Sequence, residues 1–462
     1  MSYNVGLAMV SFQLHNFGCR TNQAEGAALK EQLRVAGFVE APRFAPSELA
    51  VLNTCTVTGA ADAEVRQVIR RIHRADPGCQ ILVTGCYPQR AAQEIAQLPG
   101  VAWVVGNSHK HRVAGLLKSR FGLDGDDVLR ARSPDGGLTD FAGSRDTVDV
   151  RVGELATGFE FSPAFADDRT RPTLKIQDGC NARCSFCIVP QVRGRSRSLA
   201  ADAVVAHICE LAAKGYLEVV LSGINLGSYG HDLEPRVTLP ALVERILSET
   251  SMVRLRISSL EVTDLSAEML RLFATEARLA QHFHVPLQSG SDRMLQRMRR
   301  PYGAAQYAER ILSIREQIPN CGLGADVMVG FPGETEEDHG ASLRFIESLP
   351  FTYLHIFPYS ARPGTPAATL PAQINGRVVR ERCQQLRSRM KEKRQAFLAA
   401  QVGKQLSALS LDDFVDGARV ALSSNYLKVA LLGPDPGPNR LLDVCIERVA
   451  GDVLWGQVRS AA

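Results

Sequence analysis

Strand-like and helix-like segments alternate in two long series along this chain of 462 residues. In the first series, the predicted strands are residues 10–14, 49–53, 80–84 and 101–105, with amphipathic segments between them. Alternation at this pace is typical of a parallel sheet, because a crossover helix joins each pair of parallel strands. We therefore predict a parallel α/β domain over residues 8–125.

The second series lies in the middle of the chain. Its strand-like runs are residues 174–177, 218–221, 253–257, 282–285, 324–329 and 353–357. Six strand–helix units predict a partial (βα)6 barrel over residues 169–400. The stretch between the two series, residues 126–168, is rich in turn-forming residues and is predicted to be a linker, or alternatively an insertion within one domain.

The pattern changes again near the C-terminus. Short strand-like runs follow one another at residues 405–411, 418–422, 427–431, 442–449 and 453–458. About sixty residues of this kind indicate a small β-barrel over residues 401–462. The fold class is therefore α/β, with an N-terminal parallel α/β domain, a central partial barrel and a small C-terminal β-barrel.

Three cysteines follow the first predicted barrel strand, at positions 180, 184 and 187. A closed iron–sulfur site takes four thiolates, so a loop of three leaves one iron open to another ligand. The alternative is a zinc knuckle or a chance cluster, but zinc sites usually show a fourth Cys or His nearby. Residues 188–206 contain neither residue type.

A second set of cysteines is spread over the first domain. Cys19, Cys55 and Cys86 each follow a predicted strand. Because the carboxyl ends of parallel strands meet at one edge of a sheet, we expect these three thiols to converge there. Cys79 precedes its strand and is placed about 20 Å away, at the opposite edge. The alternative is three ordinary buried thiols.

The eleven cysteines of the chain are grouped in a way that favours metal chemistry in a reducing cytosol over a disulfide framework. No apolar run approaches the roughly 20 residues of a membrane helix. The N-terminus lacks the pattern of a signal peptide. We therefore expect a cytoplasmic protein with no membrane partner.

The loop from Cys180 to Cys187, including the aromatic Phe186, resembles the cysteine loop of the radical S-adenosylmethionine (SAM) enzymes. This resemblance implies a [4Fe–4S] cluster held by Cys180, Cys184 and Cys187 as the catalytic centre. In that family the open iron chelates SAM, and an electron from the cluster cleaves SAM to a 5′-deoxyadenosyl radical.

Three further stretches, residues 16–22, 53–58 and 83–87, extend the resemblance to the methylthiotransferases over nearly the whole chain. It implies a second, auxiliary [4Fe–4S] cluster on Cys19, Cys55 and Cys86, which carries or binds the sulfur. It also implies an electron donor such as flavodoxin or ferredoxin, and a C-terminal TRAM domain, an OB-like RNA-binding module. The motif Asn53-Thr-Cys-Thr-Val-Thr58 is closest to the branch that acts on threonylcarbamoyladenosine in tRNA.

Glycine-rich turns follow several predicted barrel strands. By the family resemblance, Gly223 to Asn225 lies where the methionine end of SAM is held. Looser candidates for contacts with SAM or substrate are Ser259, Gln288, Gly330 and Gly333. Glu261 is expected either to bind the ribose of SAM or to cap the next helix.

Basic residues recur in a way that suits a phosphate backbone. The groups are Arg193 to Arg197, four arginines between residues 66 and 74, and eight Lys or Arg in residues 377–394. The alternative for such groups is a solvated helix face. In the C-terminal segment, RNA recognition is expected to rest on shape and on a few residues such as Asn425, Tyr426 and Lys428, and the alternative is that this segment is a purely structural cap.

Together these features predict a tRNA methylthiotransferase that uses two clusters and SAM. Its expected partner is the anticodon stem-loop, where threonylcarbamoyladenosine at position 37 would gain a 2-methylthio group. The alternatives are the same chemistry on isopentenyladenosine or on a ribosomal-protein aspartate, and a non-catalytic metal-cluster RNA-binding protein.

Overall fold

The computed structural model describes residues 10–42, 45–123, 147–159 and 169–459. The chain forms two compact units. The first unit comprises residues 1–166 and 188–195, and the second comprises residues 167–187 and 196–462. The predicted linker, residues 126–168, lies mostly outside the described residues.

The first unit is a parallel sheet flanked by helices. Its strands are β1 (Ser11–Asn16), β2 (Val39–Glu40), β3 (Leu49–Thr54), β4 (Gln80–Gly85), β5 (Val101–Gly106) and β6 (Asp149–Arg151). Its helices are α1 (Arg20–Val35), α2 (Gly59–Ala75), α3 (Cys86–Ala96), α4 (Val113–Arg120) and α5 (Val189–Arg193), with a 3-10 turn at Lys110–Arg112.

The strands of this sheet lie in the order β2-β1-β3-β4-β5-β6, and every pair is parallel. Strand β3 is buried along its whole length, as the apolar run of residues 49–53 predicts. The structure adds two short strands that the sequence analysis did not predict, β2 and β6. Strand β6 comes from the stretch that was predicted to be linker.

The second unit begins with the predicted partial barrel. Its strands are β7 (Thr173–Lys175), β8 (Gln177–Asp178), β9 (Arg197–Ser198), β10 (Glu218–Ser222), β11 (Arg254–Ile257), β12 (His282–His284), β13 (Gly322–Val329) and β14 (Tyr353–Pro358). Its helices are α6 (Ala201–Ala213), α7 (Leu239–Glu249), α8 (Ala267–Thr275), α9 (Asp292–Arg297), α10 (Ala304–Gln317), α11 (Glu336–Ser348) and α12 (Gly376–Ala399).

Two three-stranded parallel sheets build the barrel wall, in the orders β11-β10-β7 and β12-β13-β14. Single parallel bridges, such as that between Ser259 and His284, connect them. Alternate residues of β13, including Ala325 and Val327, belong to a large hydrophobic core with the surrounding helices. The strand residues between them therefore face the inside of the barrel.

The C-terminal segment is a closed five-stranded barrel, as predicted. It is formed by β15 (Gln405–Val415), β16 (Ala418–Ser423), β17 (Lys428–Leu432), β18 (Leu441–Ala450) and β19 (Val453–Val458). Closure leaves no free sheet edge.

Among the described residues, none of the helices combines the length and apolarity that a membrane crossing requires.

Candidate functional site

In the first unit, the structure places the three predicted thiols at the carboxyl ends of neighbouring strands. Cys19 is the N-cap of α1 after β1, Cys55 follows β3, and Cys86 opens α3 directly after β4. Cys79 precedes β4 and therefore lies at the other end of this strand. The convergence that the strand pattern predicts is therefore present.

The thiols of this set are close enough to influence one another. Burial, together with the neighbouring Cys86 and Cys19, raises the pKa of the Cys55 thiol to about 12. Three thiolates can share such a site only if a cation neutralises them. Gly18, at a φ of +93°, lets the backbone pass beside Cys55, where a side chain would collide with the Cys55 thiol. The donor set therefore fits a metal cluster.

A buried polar network supports this thiol set. Arg193, only 2% exposed, forms an ion pair of 2.7 Å with Glu25 and donates to the amide oxygen of Asn22. Lys110 forms a second ion pair with Glu25 at 2.6 Å. The positive charge of Arg193 favours the thiolate of Cys55. This network is not evident from the sequence, because its members lie far apart in the chain.

Asn107 is a second neighbour that sequence reasoning missed. Its amide nitrogen lies 3.4 Å from the sulfur of Cys86 and donates a 2.8 Å hydrogen bond to the carbonyl of Val192. Ile188 and Val192 pack against Cys86. This side of the thiol set is thus closed by an amide donor and two aliphatic side chains.

The threonines of the motif at residues 53–58 have structural roles. Thr54 donates to the carbonyl of Thr84, Thr56 is buried against Asp62 and Arg90, and Thr58 caps α2. Val57, by contrast, is 52% exposed. These contacts explain the threonines without any substrate.

In the second unit, the loop that carries Cys180, Cys184 and Cys187 is closed by local hydrogen bonds. The amide of Cys187 donates to the carbonyl of Cys184 at 3.2 Å. The sulfur of Cys180 accepts from the amide of Ala182 at 3.4 Å and lies 3.8 Å from the side-chain nitrogen of Asn225. Burial raises the pKa of the Cys180 thiol, and these donors oppose that shift.

Gln177 joins this loop to the turn at Gly223 to Asn225. Its side-chain oxygen accepts from the amides of Ile224 and Asn225 at 2.9 and 2.8 Å. Its side-chain nitrogen donates to the carbonyls of Asp178 and Gly179. A side chain on Gly223 would crowd Gln177. The sequence signal for this role was weak, a single polar residue at the end of an apolar strand.

Arg300 contacts the loop from another side. Its guanidinium lies 3.1 Å from the sulfur of Cys184 and forms an ion pair with Glu261. Glu261 precedes a 3-10 turn at Val262–Asp264, but its side chain makes no capping hydrogen bond to that turn. The capping role considered from the sequence is therefore wrong. The arginine itself was not predicted, because nothing in the sequence near residue 300 links it to Cys184.

The remaining SAM candidates differ in their surroundings. Among the described residues, Asn225 Oδ1 and Gln288 Oε1 are buried and accept no hydrogen bond, which leaves both available to a ligand donor. The backbone of Ser259 bridges to His284. Gly330 and Gly333 have positive φ angles, and side chains there would collide with Val379 and Arg297. Packing alone therefore accounts for these two glycines.

Several basic residues that were expected to meet phosphates are engaged elsewhere. Arg193 is buried with Glu25, and Arg197, 7% exposed, pairs with Asp178. Arg66 is bound to Tyr87 and Glu94. Arg195 is exposed, as are Arg70, Arg71 and Arg74 on α2.

Two of the expected RNA contacts in the C-terminal segment are also engaged within the fold. Asn425 is 3% exposed and donates to the carbonyl of Asn320. Tyr426 stacks on His282 with ring centroids 4.2 Å apart. Both side chains attach the small barrel to the partial barrel, whereas Lys428 is exposed. The expectation that Asn425 is a surface contact is wrong.

Comparison with known proteins agrees with this architecture. Residues 11–106 match the family described as Uncharacterized protein family UPF0004, and residues 174–346 match the Radical SAM superfamily. The chain is similar to the threonylcarbamoyladenosine tRNA methylthiotransferase MtaB of Bacillus subtilis (strain 168), with 34% identity over 97% of this chain and 96% of the relative. The MtaB of Aquifex aeolicus (strain VF5) is 35% identical over 89% and 94%.

A solved structure is also similar. It is the radical S-adenosylmethionine methyltransferase TsrM from Kitasatospora setae with tryptophan substrate and a SAM analogue bound. The TM-score is 0.54 at 17% identity, over 78% of this chain and 75% of that one, which shows a shared fold alone. With the full-length relatives above, the conclusion is that this chain belongs to the radical SAM methylthiotransferase family.

Proposed function

We propose that this chain is a tRNA methylthiotransferase that converts threonylcarbamoyladenosine at position 37 to its 2-methylthio derivative. The observation that supports it most is the similarity to MtaB of Bacillus subtilis along 97% of the chain. The two three-cysteine sets add to it, because each lies at strand ends with donors that fit a metal cluster.

In this proposal, Cys180, Cys184 and Cys187 hold the [4Fe–4S] cluster that works with SAM, and Cys19, Cys55 and Cys86 hold a second one. When bound, the first cluster supplies the electron that cleaves SAM, and the second supplies the sulfur. Gln177 holds the turn at Gly223 to Asn225 against the first loop. A low-potential donor such as flavodoxin or ferredoxin provides the electron.

The protein's own contribution is placement. Asn225, with its unpartnered oxygen beside Cys180, suits the ammonium group of an amino acid, as in the methionine end of SAM. The exposed arginines of α2 and Arg195 suit the anticodon-loop phosphates. A base in a single-stranded loop can be presented to an enclosed site without opening a duplex.

The test is mass spectrometry of tRNA nucleosides from a host that lacks its own methylthiotransferase, with and without this chain. We expect 2-methylthio-threonylcarbamoyladenosine only when the chain is present, and not with Cys180→Ala. If the methylthio form of isopentenyladenosine appears instead, the reaction stands and the substrate is wrong. If no methylthio nucleoside changes, the tRNA proposal fails, and a ribosomal-protein aspartate becomes the next substrate to assay.

A further inference from the structure

Three side chains with metal-binding atoms meet inside the partial barrel of the second unit. His284 lies on β12, Asp326 on β13 and His355 on β14, which are adjacent parallel strands. Asp326 and His355 are direct partners in the sheet register. Because Ala325 and Val327 face the outer core, Asp326 faces the barrel interior.

The ligand atoms of these residues converge. Asp326 Oδ1 lies 3.1 Å from His284 Nε2 and 3.2 Å from His355 Nδ1, and all three atoms lie within 4.8 Å of one another. An ion bound at about 2.0–2.2 Å by nitrogen and oxygen separates its ligand atoms by roughly 3.0–3.5 Å. The two distances from Asp326 to the histidine nitrogens fit ligands of a common ion.

His284 also has the outer partner that metal-binding histidines usually have. Its second ring nitrogen, Nδ1, lies 3.0 Å from the hydroxyl of Tyr353, which is 2.7 Å from His282. Gly324 makes this possible, because a side chain there would collide with the ring of Tyr353. Such a second hydrogen bond fixes the ring orientation of a ligating histidine.

This group of side chains is open to solvent on one side. The side chains of His284 and His355 are 8% and 64% exposed, so an ion can enter from the side of His355.

We propose that His284, Asp326 and His355 form a mononuclear site for a divalent transition metal. Two imidazoles and one carboxylate are the donor set of zinc and non-haem iron(II) sites, which leave further coordination positions open. The site uses none of the ligands of the two cysteine sets.

The test is metal analysis of the holoenzyme, with both cysteine sets loaded with iron and sulfide and with zinc then supplied. We expect about one zinc per chain beyond the iron. His355→Ala, a change at an exposed side chain, should lose this zinc and keep its iron and sulfide. His231→Ala, at an exposed histidine outside the proposed site, is the control and should keep the zinc.

A second measurement identifies the ligands. Cobalt(II) supplied in place of zinc should give visible absorption bands in the wild type that Asp326→Asn weakens or removes. If the wild type binds no zinc, or if His355→Ala binds as much zinc as the wild type, the proposal is overturned. His284, Asp326 and His355 then form a hydrogen-bonded cluster only. Because the readout is metal content, it does not depend on the tRNA reaction.

Discussion

The guanidinium of Arg300 lies 3.1 Å from the sulfur of Cys184 and is ion-paired with Glu261. A cationic donor beside a cluster thiolate stabilises the reduced, more negative state of the cluster. We expect Arg300→Met to make the cluster's reduction potential more negative, by roughly 50 mV, and to slow SAM cleavage. Potentiometric titration followed by electron paramagnetic resonance measures this. Arg299→Met, at the exposed neighbouring residue, should leave the potential unchanged.

Replacing Cys19, Cys55 and Cys86 together by alanine tests the second cluster. Iron should fall from roughly eight to roughly four per chain, while SAM cleavage on reduction is retained. Cys79→Ala is the matched control, because this buried thiol lies at the other end of β4. An unchanged iron content in the triple variant would falsify the second cluster.

Gln177→Leu should weaken SAM binding. The substitution leaves the amides of Ile224 and Asn225 without their acceptor and frees the turn that we place against SAM. We expect the dissociation constant for SAM to rise about tenfold, equivalent to about 1.4 kcal/mol. Equilibrium binding to the reconstituted protein gives the constant. Gln296→Leu, at an exposed glutamine, is the control, and equal affinities in the two variants would contradict the role of Gln177.

Glu25→Gln should destabilise the first unit. Arg193 and Lys110 both pair with this carboxylate and would be left as buried cations next to each other. Removing one partner of a buried ion pair costs about 3–5 kcal/mol. Thermal unfolding of the holoprotein measures the loss, with the exposed Glu64→Gln as the control. A melting temperature equal to that of the control would show that the network is not stabilising.

Glu218→Gln should destabilise the second unit in a pH-dependent way. Burial raises the pKa of this carboxyl, but Arg256, Arg254 and Arg171 outweigh it, so the pKa in the folded state lies well below the ordinary 4.5. The carboxylate therefore contributes stability above about pH 4.5, and this contribution is lost as the pH falls below that value.

The expected loss at pH 7 is about 3–5 kcal/mol. Denaturant unfolding at pH 7 and at pH 3.5 measures the free energy of unfolding of both proteins. The difference in this free energy between the wild type and Glu218→Gln should be smaller at pH 3.5 than at pH 7. Glu210→Gln, at an exposed glutamate, should show neither effect. A difference in unfolding free energy that grows on acidification would contradict the lowered pKa of Glu218.

The strand pattern predicted much of the fold correctly, because apolar runs in parallel sheets are buried on both faces and stand out in the sequence. Residues 49–53 became β3, and the five short C-terminal runs became a closed barrel. Strand β2, with only two residues, was not predicted, since so short a run has no periodicity to detect. The same strand pattern placed Cys19, Cys55 and Cys86 at one sheet edge.

The sequence by itself thus determined the α/β class, the two three-cysteine sets and, by resemblance, the family. Only the tertiary structure decided what surrounds them. Arg193 pairs with Glu25 across 168 residues, and Arg300 reaches Cys184 across 116. A charged residue in a sequence does not reveal whether it meets solvent, phosphate or a distant carboxylate. Which of these a charged residue meets depends on the segments that the fold brings together. A charge can be buried without a large cost only where an opposite charge or a hydrogen-bond partner is within reach.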